Sequence, residues 1–383
     1  MPIYKMNGTK NGKQKYRVRI NYTDNFGKNR QIDRVAYGNA EAKELERQLE
    51  YEIKKQKPTA RMTVRDLFDE YIKAIKSEIR ETTYVSHKKV LETYIIELLG
   101  NVSLEKLTAP VLQNWKNQIE EMEVVKHNTS ASKLAYRTKK NIYSVFRAML
   151  NWGVKMDYMT QNNLSKVGNF KDTSIIKSEM DYYTAEEYKL FSSIAKNEAK
   201  KGGCVADWDY YVFFSIAFYT GLRKGEIHAL KWSDINGNIL SVSRSISQKL
   251  KGGDRETPPK NKSSIRTLQI PSPLALILAE HLNRYKTDKN FTEEYRICGG
   301  TRSLRDTSIE NANIKFAKLA GIKKIRIHDF RHSHASVLVN EGINIQEIAR
   351  RLGHANIEMT WNTYSHLYPR EEERAVKILN KIV

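Results

Sequence analysis

The stretch from His328 to Tyr364 constrains this chain most, because it gathers several cations and one phenol within a short span. His328 and Arg331 are three residues apart at the start of a predicted helix, so they share one face of it. Gly353 is predicted to end a second short helix over residues 345–352, and His354 follows at once. Tyr364 comes ten residues later. The stretch therefore predicts a helical fold that brings positive side chains and a phenol to one spot.

This group of side chains suits a phosphodiester. The phenol of a tyrosine has a pKa near ~10, so it becomes a nucleophile only with help from a base or a nearby positive charge. Attack on the phosphate builds negative charge on its non-bridging oxygens, which arginine meets with a planar fork of donors and histidine with a further donor. A phosphotyrosine ester keeps the bond energy of the diester, so resealing would need no ATP.

Two motifs further upstream complete a pattern that resembles the tyrosine recombinases, the phage-type integrase family. The first runs Thr220-Gly221-Leu222-Arg223-Lys224-Gly225-Glu226. The second runs Pro258-Pro259-Lys260-Asn261-Lys262-Ser263-Ser264. Together with His-x-x-Arg, Leu-Gly-His and the tyrosine, they follow the order of the family's motifs.

The resemblance implies a role for each of six residues. Tyr364 would attack the phosphate and become linked to the 3′ end of the DNA. Three side chains would neutralise the phosphorane: Arg223, Arg331 and His354. His328 would assist proton transfer, and Lys260 would protonate the departing 5′-oxygen. Gln269 stands where a proline often ends the lysine run, so Lys262 stays open as an alternative to Lys260.

The histidines near Arg331 superficially imitate a zinc-binding helix, because His328-Asp329-x-x-His332 spaces its two imidazoles by one turn. Zinc chemistry would require a glutamate base and a third ligand, and Arg331 would repel the ion. We therefore predict no metal and no other cofactor. His332 is expected to be a buried, hydrogen-bonded residue that supports the site.

The charge of the chain predicts a polyanionic partner: 65 lysines and arginines against 44 acidic residues give +21. That partner is expected to be double-stranded DNA, at core and arm sites. The two cysteines lie far apart without a zinc or disulfide pattern, which favours a reducing cytoplasm. Residues 1–7 contain no apolar signal-peptide core, and no apolar run reaches the length of a membrane span. A bacterial cytoplasmic protein, at the nucleoid when bound to DNA, is expected.

The expected fold is multidomain: a small β-plus-helix N-terminal domain, an all-α core-binding domain, and a mainly α catalytic domain with a small antiparallel sheet (α+β). The predicted boundaries are residues 1–57, 61–165 and 178–383. In the first domain, residues 16–22 alternate as a strand, residues 30–34 form a second strand, and a helix follows Asn39. This domain resembles the AP2-like arm-binding domain of many integrases. Arg17 and Arg19, on the basic face of the strand, are predicted to contact DNA.

The second domain is predicted from four amphipathic helices between Thr63 and Val154. By resemblance it is the core-binding domain. Cations placed on its fourth helix are predicted to contact DNA phosphates: Lys133, Arg137 and Lys140. Lys262, in the catalytic domain, is a further predicted DNA contact. Residues 161–178 are predicted to be the linker to that domain.

The catalytic domain is predicted to open with a capping box at residues 184–187, ahead of a buried helix over residues 208–219. Glu226 is expected to be partly buried and to orient Arg223. A strand over residues 239–247 and a returning strand over 265–270 flank the loop that carries Lys260. The terminal helix, residues 371–383, is expected to dock on its own domain or on a neighbouring protomer.

The predicted function is site-specific recombination that integrates and excises a mobile genetic element through a 3′-phosphotyrosine intermediate. Two strand exchanges would pass through a four-way junction, so a homotetramer on DNA is expected, with accessory DNA-bending factors of the host or element as further partners. Type IB topoisomerases use similar residues but reseal without exchanging partners. A non-enzymatic DNA-binding protein would have no reason to carry Tyr364 with its cations. The N-terminal module favours a phage or mobile-element integrase over a chromosome-dimer resolvase.

Overall fold

The computed structural model describes residues 3–10, 12–23, 29–55, 62–124, 131–171, 180–248, 254–257, 262–368, 376 and 379–380. The chain divides into two compact units, residues 1–175 and 176–383. Lys260 and most of the predicted terminal helix lie outside the described residues, so their predictions stay untested. Within the described part, no helix has the length and apolar character needed to cross a membrane.

Residues 3–55 form a three-stranded antiparallel sheet with one helix. The elements are β1 (Ile3–Lys10), β2 (Lys13–Thr23), β3 (Asn29–Tyr37) and α1 (Asn39–Lys55). β2 is the central strand and pairs with both others. Val18 on the sheet and Leu49 on the helix belong to one small buried cluster. The predicted strands and helix are confirmed. β1 was not predicted, because its side chains are mostly exposed and do not alternate between buried and exposed positions.

Residues 62–171 are mainly helical. The helices are α2 (Val64–Ile75), α3 (Glu81–Leu91), α4 (Glu97–Leu99), α5 (Ala109–Glu121), α6 (Tyr136–Lys155) and α7 (Leu164–Val167). A π-helical turn, Glu92–Ile96, joins α3 to α4. Thr63 caps α2 through a reciprocal pair of hydrogen bonds with Asp66, as its position before the apolar stripe predicts. The apolar stripes meet in one core, where Trp115 packs edge-on against Phe146.

Two details of the predicted helical domain are wrong. A short hairpin, β4 (Glu123–Val124) and β5 (Ser132–Lys133), precedes α6, so Lys133 lies on a strand and not on the fourth helix. Part of the predicted linker belongs to the helical core, because Leu164 and Phe170 are buried in it. Apolar side chains that close a core are hard to distinguish from a linker when polar residues surround them.

Residues 180–368 form the second unit. Its helices are α8 (Ala185–Gly202), α9 (Val205–Thr220), α10 (Lys224–Ala229), α11 (Ser272–Tyr285), α12 (Asp306–Ala320), α13 (Asp329–Asn340), α14 (Ile345–Leu352) and α15 (Ile357–Tyr364). Its strands are β6 (Ile235–Asn236), β7 (Ile239–Val242), β8 (Ser245–Ser247), β9 (Arg255–Thr257) and β10 (Arg266–Gln269). The capping box between Thr184 and Glu187 at the start of α8 is confirmed.

The core of this unit is built around α9, which contacts α8, α11 and α13. Burial of residues 208–209 and 211–218 confirms the predicted buried helix. β7 pairs with β6 and β10 in a three-stranded antiparallel sheet, whereas β8 pairs with β9 in a separate ribbon. The single strand predicted over residues 239–247 is therefore wrong, because Arg244 leaves the sheet and binds Asp234. The multidomain α+β class itself is confirmed.

Candidate active site

Arg331 lies at the centre of the candidate site, in the first turn of α13. Its guanidinium is almost fully buried, with 3 % of the residue exposed. It donates one hydrogen bond to the carbonyl of Gly221 and one to that of Leu352, each 2.8 Å long. These carbonyls lie at the C-terminal ends of α9 and α14, where the helix dipoles present partial negative charge.

No carboxylate among the described residues forms an ion pair with Arg331, although the group is buried. Burial, followed by the positive charge of Arg223, lowers the pKa of Arg331 to about 9. The side chain is thus still charged at pH 7. A buried cation held only by dipoles is costly unless an anion joins it. The site is therefore built to receive a negative ligand.

Arg223 lies next to Arg331, because it reaches the next carbonyl along the same loop. Its Nη2 donates to the carbonyl of Gly353 (3.4 Å), and its Nη1 pairs with Glu226 Oε1 (2.9 Å). The Glu226 side chain is 5 % exposed and that of Arg223 is 36 % exposed. The expected partial burial of this pair is confirmed. Glu226 thus holds one edge of the Arg223 guanidinium, and the other edge faces the carbonyl of Gly353.

Arg266 is a cation that sequence reasoning missed. It lies on β10, nearly buried, and its Nη2 pairs with Glu226 Oε2 (3.0 Å). Its Nε also donates to the carbonyl of Arg351 (2.8 Å), at the end of α14. Burial alone would raise the pKa of Glu226, but Arg266 and Arg223 outweigh it and hold that pKa below its usual value. The sequence signal was an arginine at an inward position of a strand whose other inward residue, Leu268, is apolar.

His354 is placed by the tight end of α14. Gly353 adopts a left-handed conformation with φ of 67°, and a Cβ there would lie 2.9 Å from Nη1 of Arg266. The Nδ1 atom of His354 shares a hydrogen bond with the buried hydroxyl of Thr360 (2.7 Å), so Nε2 is the nitrogen that a ligand would meet. Burial, followed by the charges of Arg331 and Arg223, lowers the pKa of His354 to about 4. The imidazole is therefore neutral at pH 7.

His328 stands immediately before α13 and is exposed. Desolvation of its ring lowers the pKa of His328, and Arg331 adds to the effect. Lys262 opens a 3₁₀ turn, Lys262–Ser264, whose last carbonyl accepts a hydrogen bond from Arg266. The backbone that leads from the lysine loop is thus anchored beside the cations. Lys260 itself lies outside the described residues.

Tyr364, the last residue of α15, is supplied by the same chain as the cations. The residue is 1 % exposed and packs in a cluster with apolar side chains of α13 and α14. Burial raises the pKa of its phenol to about 12, although Arg331 acts in the opposite direction. The phenol oxygen lies 2.6 Å from Nδ1 of His332. His332 is only partly buried, and it contacts the predicted nucleophile directly instead of supporting the site from behind.

Several residues predicted to contact DNA outside the site form ion pairs with carboxylates. Arg17 and Arg19 both pair with Asp33 on the neighbouring strand, at 2.9 and 3.1 Å. Lys133 pairs with Glu121 at 2.6 Å. Arg137 and Lys140 are exposed on α6. These five contacts to DNA remain predictions.

The site thus gathers guanidinium groups at the end of α14, with His354 directly after that helix and the phenol of Tyr364 in contact with His332. Residues 182–371 match the phage integrase family, and residues 63–119 match the N-terminal SAM-like domain of phage integrases. The chain belongs to the phage integrase family and is a tyrosine recombinase. The resemblance predicted from the motifs is confirmed.

Two similar proteins match this chain along nearly its whole length. The ICEBs1 integrase of Bacillus subtilis (strain 168) is 25% identical over 389 residues, which cover 97% of this chain and 98% of the relative. A protein named tyrosine recombinase XerC-like, from Caldanaerobacter subterraneus subsp. tengcongensis, is 27% identical over 412 residues, covering 99% of each chain.

Solved structures share the fold. The Tn1549 transposon integrase in complex with a circular intermediate DNA has a TM-score of 0.64 at 18% identity, covering 84% of this chain and 100% of that one. A lambda integrase tetramer bound to a Holliday junction has a TM-score of 0.56 at 19% identity, covering 96% and 95%. These similarities confirm the fold of the chain.

Proposed function

We propose that this tyrosine recombinase cleaves and rejoins DNA strands through Tyr364, and so integrates and excises a mobile genetic element. One observation carries the proposal. Arg331 is buried and charged, and two backbone carbonyls hold it, with no carboxylate partner among the residues that the structure describes. Tyr364 of the same chain lies in the adjoining helix. A phosphodiester supplies both the missing anion and the atom that a phenol attacks.

The phosphate would bind where the guanidinium groups converge. Arg331 and Arg223 reach adjacent carbonyls, those of Leu352 and Gly353, so both can face one phosphate. His354 would donate through Nε2 to a non-bridging oxygen, since Thr360 occupies its other nitrogen. Such preorganised donors stabilise the charge that develops on the phosphorane, and each contributes about 3–4 kcal/mol to transition-state stabilisation.

Cleavage would link the 3′-phosphate to Tyr364 and release a 5′-hydroxyl. The departing oxygen needs a proton, because an alkoxide is a poor leaving group. We propose that Lys260 donates this proton, with Lys262 as the alternative on the same loop. His328 would assist the proton transfer. The reaction exchanges one ester for another, so its energy is conserved without ATP. The cations supply the charge stabilisation that a metal provides in other nucleases.

The assembly that we propose follows from the reaction. Exchange of two strand pairs requires four nucleophiles, hence a homotetramer on DNA. The lambda integrase of known structure is a tetramer bound to a Holliday junction, and the Tn1549 integrase is bound to a circular intermediate DNA, which supports this arrangement for a chain of the same fold. Accessory DNA-bending factors would assist the assembly on nucleoid DNA in the bacterial cytoplasm.

We further propose three domains with separate roles: arm binding by residues 1–57, core binding by residues 61–165 and catalysis by residues 178–383. Arg17 and Arg19 would exchange Asp33 for phosphates of an arm site, and the cations near α6 would contact a core site. Footprinting with the full chain and with residues 61–383 tests this assignment. The full chain should protect two distinct sites and the shorter chain only the core site; identical footprints would contradict it.

The proposed function is tested on a plasmid that carries two copies of a core site, mapped by footprinting on the DNA that flanks the gene. The wild-type chain should exchange the DNA between the two sites, and Tyr364→Phe should not. Tyr368→Phe is the matched control, because Tyr368 bonds the carbonyl of Ile343, away from the cations, and should recombine normally. Exchange by Tyr364→Phe, or relaxation of the plasmid without exchange by the wild type, would contradict the proposal.

A further inference from the structure

Within the described part of the chain, the phenol of Tyr364 makes its polar contact with His332, a residue to which the family motifs assign no role. His332 lies on α13, one turn after His328, and its Nδ1 is 2.6 Å from the phenol oxygen. The two rings are tilted, with centroids 5.7 Å apart. A phenol can donate its only proton along this line, provided that Nδ1 carries no proton of its own.

The surroundings of His332 favour that arrangement of protons. Its Nε2 lies 4.0 Å from Oδ1 of Asp329, a carboxylate that is fully buried in the first turn of α13. Asp329 is held in place by the side chain and the backbone N–H of Arg326. A fixed negative charge on the Nε2 side stabilises the tautomer that carries its hydrogen there, which leaves the lone pair of Nδ1 towards the phenol.

His332 is also neutral at physiological pH. Burial, followed by the neighbouring His328, lowers the pKa of His332 to about 4. The charged or titratable groups that face its ring, from α13 and α15 and the residues just before them, are Tyr364, His328, Asp329, Arg331 and Arg326. A neutral imidazole in contact with a phenol is in the correct state to accept its proton.

We propose that His332 is the general base that removes the proton of Tyr364 during strand cleavage and returns it during resealing. The inference rests on the proposed function, in which Tyr364 is the nucleophile. In cleavage, the O–H bond of Tyr364 breaks, its electron pair forms the bond to phosphorus, and the proton moves to Nδ1. The P–O5′ bond breaks with its electron pair on the 5′-oxygen, which takes a proton from the lysine. Resealing reverses each step.

This assignment separates His332 from His328. The ring of His328 packs edge-on against the ring of His332, with centroids 5.2 Å apart. Among the described residues, the imidazole that contacts the phenol oxygen of Tyr364 is that of His332. His328 thus keeps its assisting role in proton transfer at the departing oxygen, and His332, one turn later, removes the proton of the nucleophile.

The test measures single-turnover cleavage of a nicked core-site substrate between pH 6.5 and 8.5. The wild-type rate should be nearly independent of pH. His332→Ala should cleave about 10²- to 10⁴-fold more slowly at pH 7. Its rate should rise about tenfold per pH unit, because hydroxide must then remove the phenol proton. His332→Asn keeps an acceptor near the position of Nδ1 but cannot take up a proton, and it should be as slow as His332→Ala. His366→Ala, which changes a histidine two residues past Tyr364, should match the wild type.

Two outcomes would overturn the inference. The first is cleavage by His332→Ala at a rate within about threefold of the wild type. The second is a wild-type cleavage rate in His332→Asn, which would show that His332 only positions Tyr364. Gel shifts on the core site check that the variants fold and bind. Tyr364→Phe separates this inference from the proposed function. An adduct formed by Tyr364→Phe would refute the nucleophile itself, whereas an adduct lost in Tyr364→Phe and unaffected in His332→Ala would refute only the base.

Discussion

The shared carboxylate of Glu226 offers the sharpest prediction about what holds the site together. Glu226→Gln keeps the size of the side chain but removes the charge that neutralises both Arg223 and Arg266. Removing one partner of a buried ion pair destabilises a protein by about 3–5 kcal/mol, since the remaining charge stays buried. Arg266 is 9 % exposed, but water reaches Arg223, so the lower end, about 3 kcal/mol, is expected.

The assay is calorimetry of the full chain at pH 7, following the transition of the catalytic unit. For a unit of about 200 residues, 3 kcal/mol corresponds to a fall in Tm of roughly 6–12 °C. Glu280→Gln is the matched control. Glu280 pairs with Arg284 on an exposed helix face, where loss of the pair costs less than about 1 kcal/mol. Equal and small effects of the two substitutions would refute the reasoning.

The same variant has a defined pH dependence. The pKa of Glu226 is lower in the folded chain than its usual value. The charged carboxylate therefore stabilises the fold fully above the unfolded-state pKa, and this stabilisation is lost as the pH falls through the folded-state pKa. The difference in Tm between wild type and Glu226→Gln should therefore be full at pH 6–7 and shrink below about pH 4. A difference that stayed constant down to pH 3 would contradict this assignment.

Three further predictions concern the site. Gly353→Ala should lower the free energy of unfolding in urea by about 2–3 kcal/mol, because the new Cβ would clash with Arg266 and the backbone is left-handed. Gly321→Ala is the control, with a similar φ and no described atom within 4 Å of the new Cβ, and should cost about 1–2 kcal/mol. Equal costs would count against the clash. Arg331→Lys should slow cleavage about 10²- to 10³-fold with little change in gel-shift affinity, since an ammonium cannot replace the fork of donors; near-normal cleavage would argue against that role. Because the pKa of His354 lies near 4, the cleavage rate should show no inflection near pH 6.5, and a clear inflection there would contradict a neutral imidazole.

Much of this fold was predictable because its signals are local. The helix over residues 345–352 ends at Gly353 as predicted, since an apolar stripe followed by glycine specifies a helix and its stop. Thr63 and Thr184 mark helix starts for the same reason. The six motif residues could be named because the spacing of cations and phenol is characteristic of the family.

Other features depend on contacts between distant parts of the chain. Arg266 reaches Glu226 across forty residues, and a single arginine in a short strand does not disclose that partner. The contact between His332 and Tyr364 depends on how α15 packs against α13, which helical periodicity cannot specify. The separation of β8 from β7 depends on the ion pair between Arg244 and Asp234, and no alternation pattern encodes it.

The central claim is that Tyr364 becomes covalently joined to DNA, and mass spectrometry of the trapped adduct measures this most directly. The wild-type chain is reacted with a nicked core-site substrate, then digested with nuclease and protease. We expect one modified peptide, with a nucleotide joined through its 3′-phosphate to the oxygen of Tyr364. A nucleotide on another residue, or a linkage to a 5′-phosphate, would contradict the account.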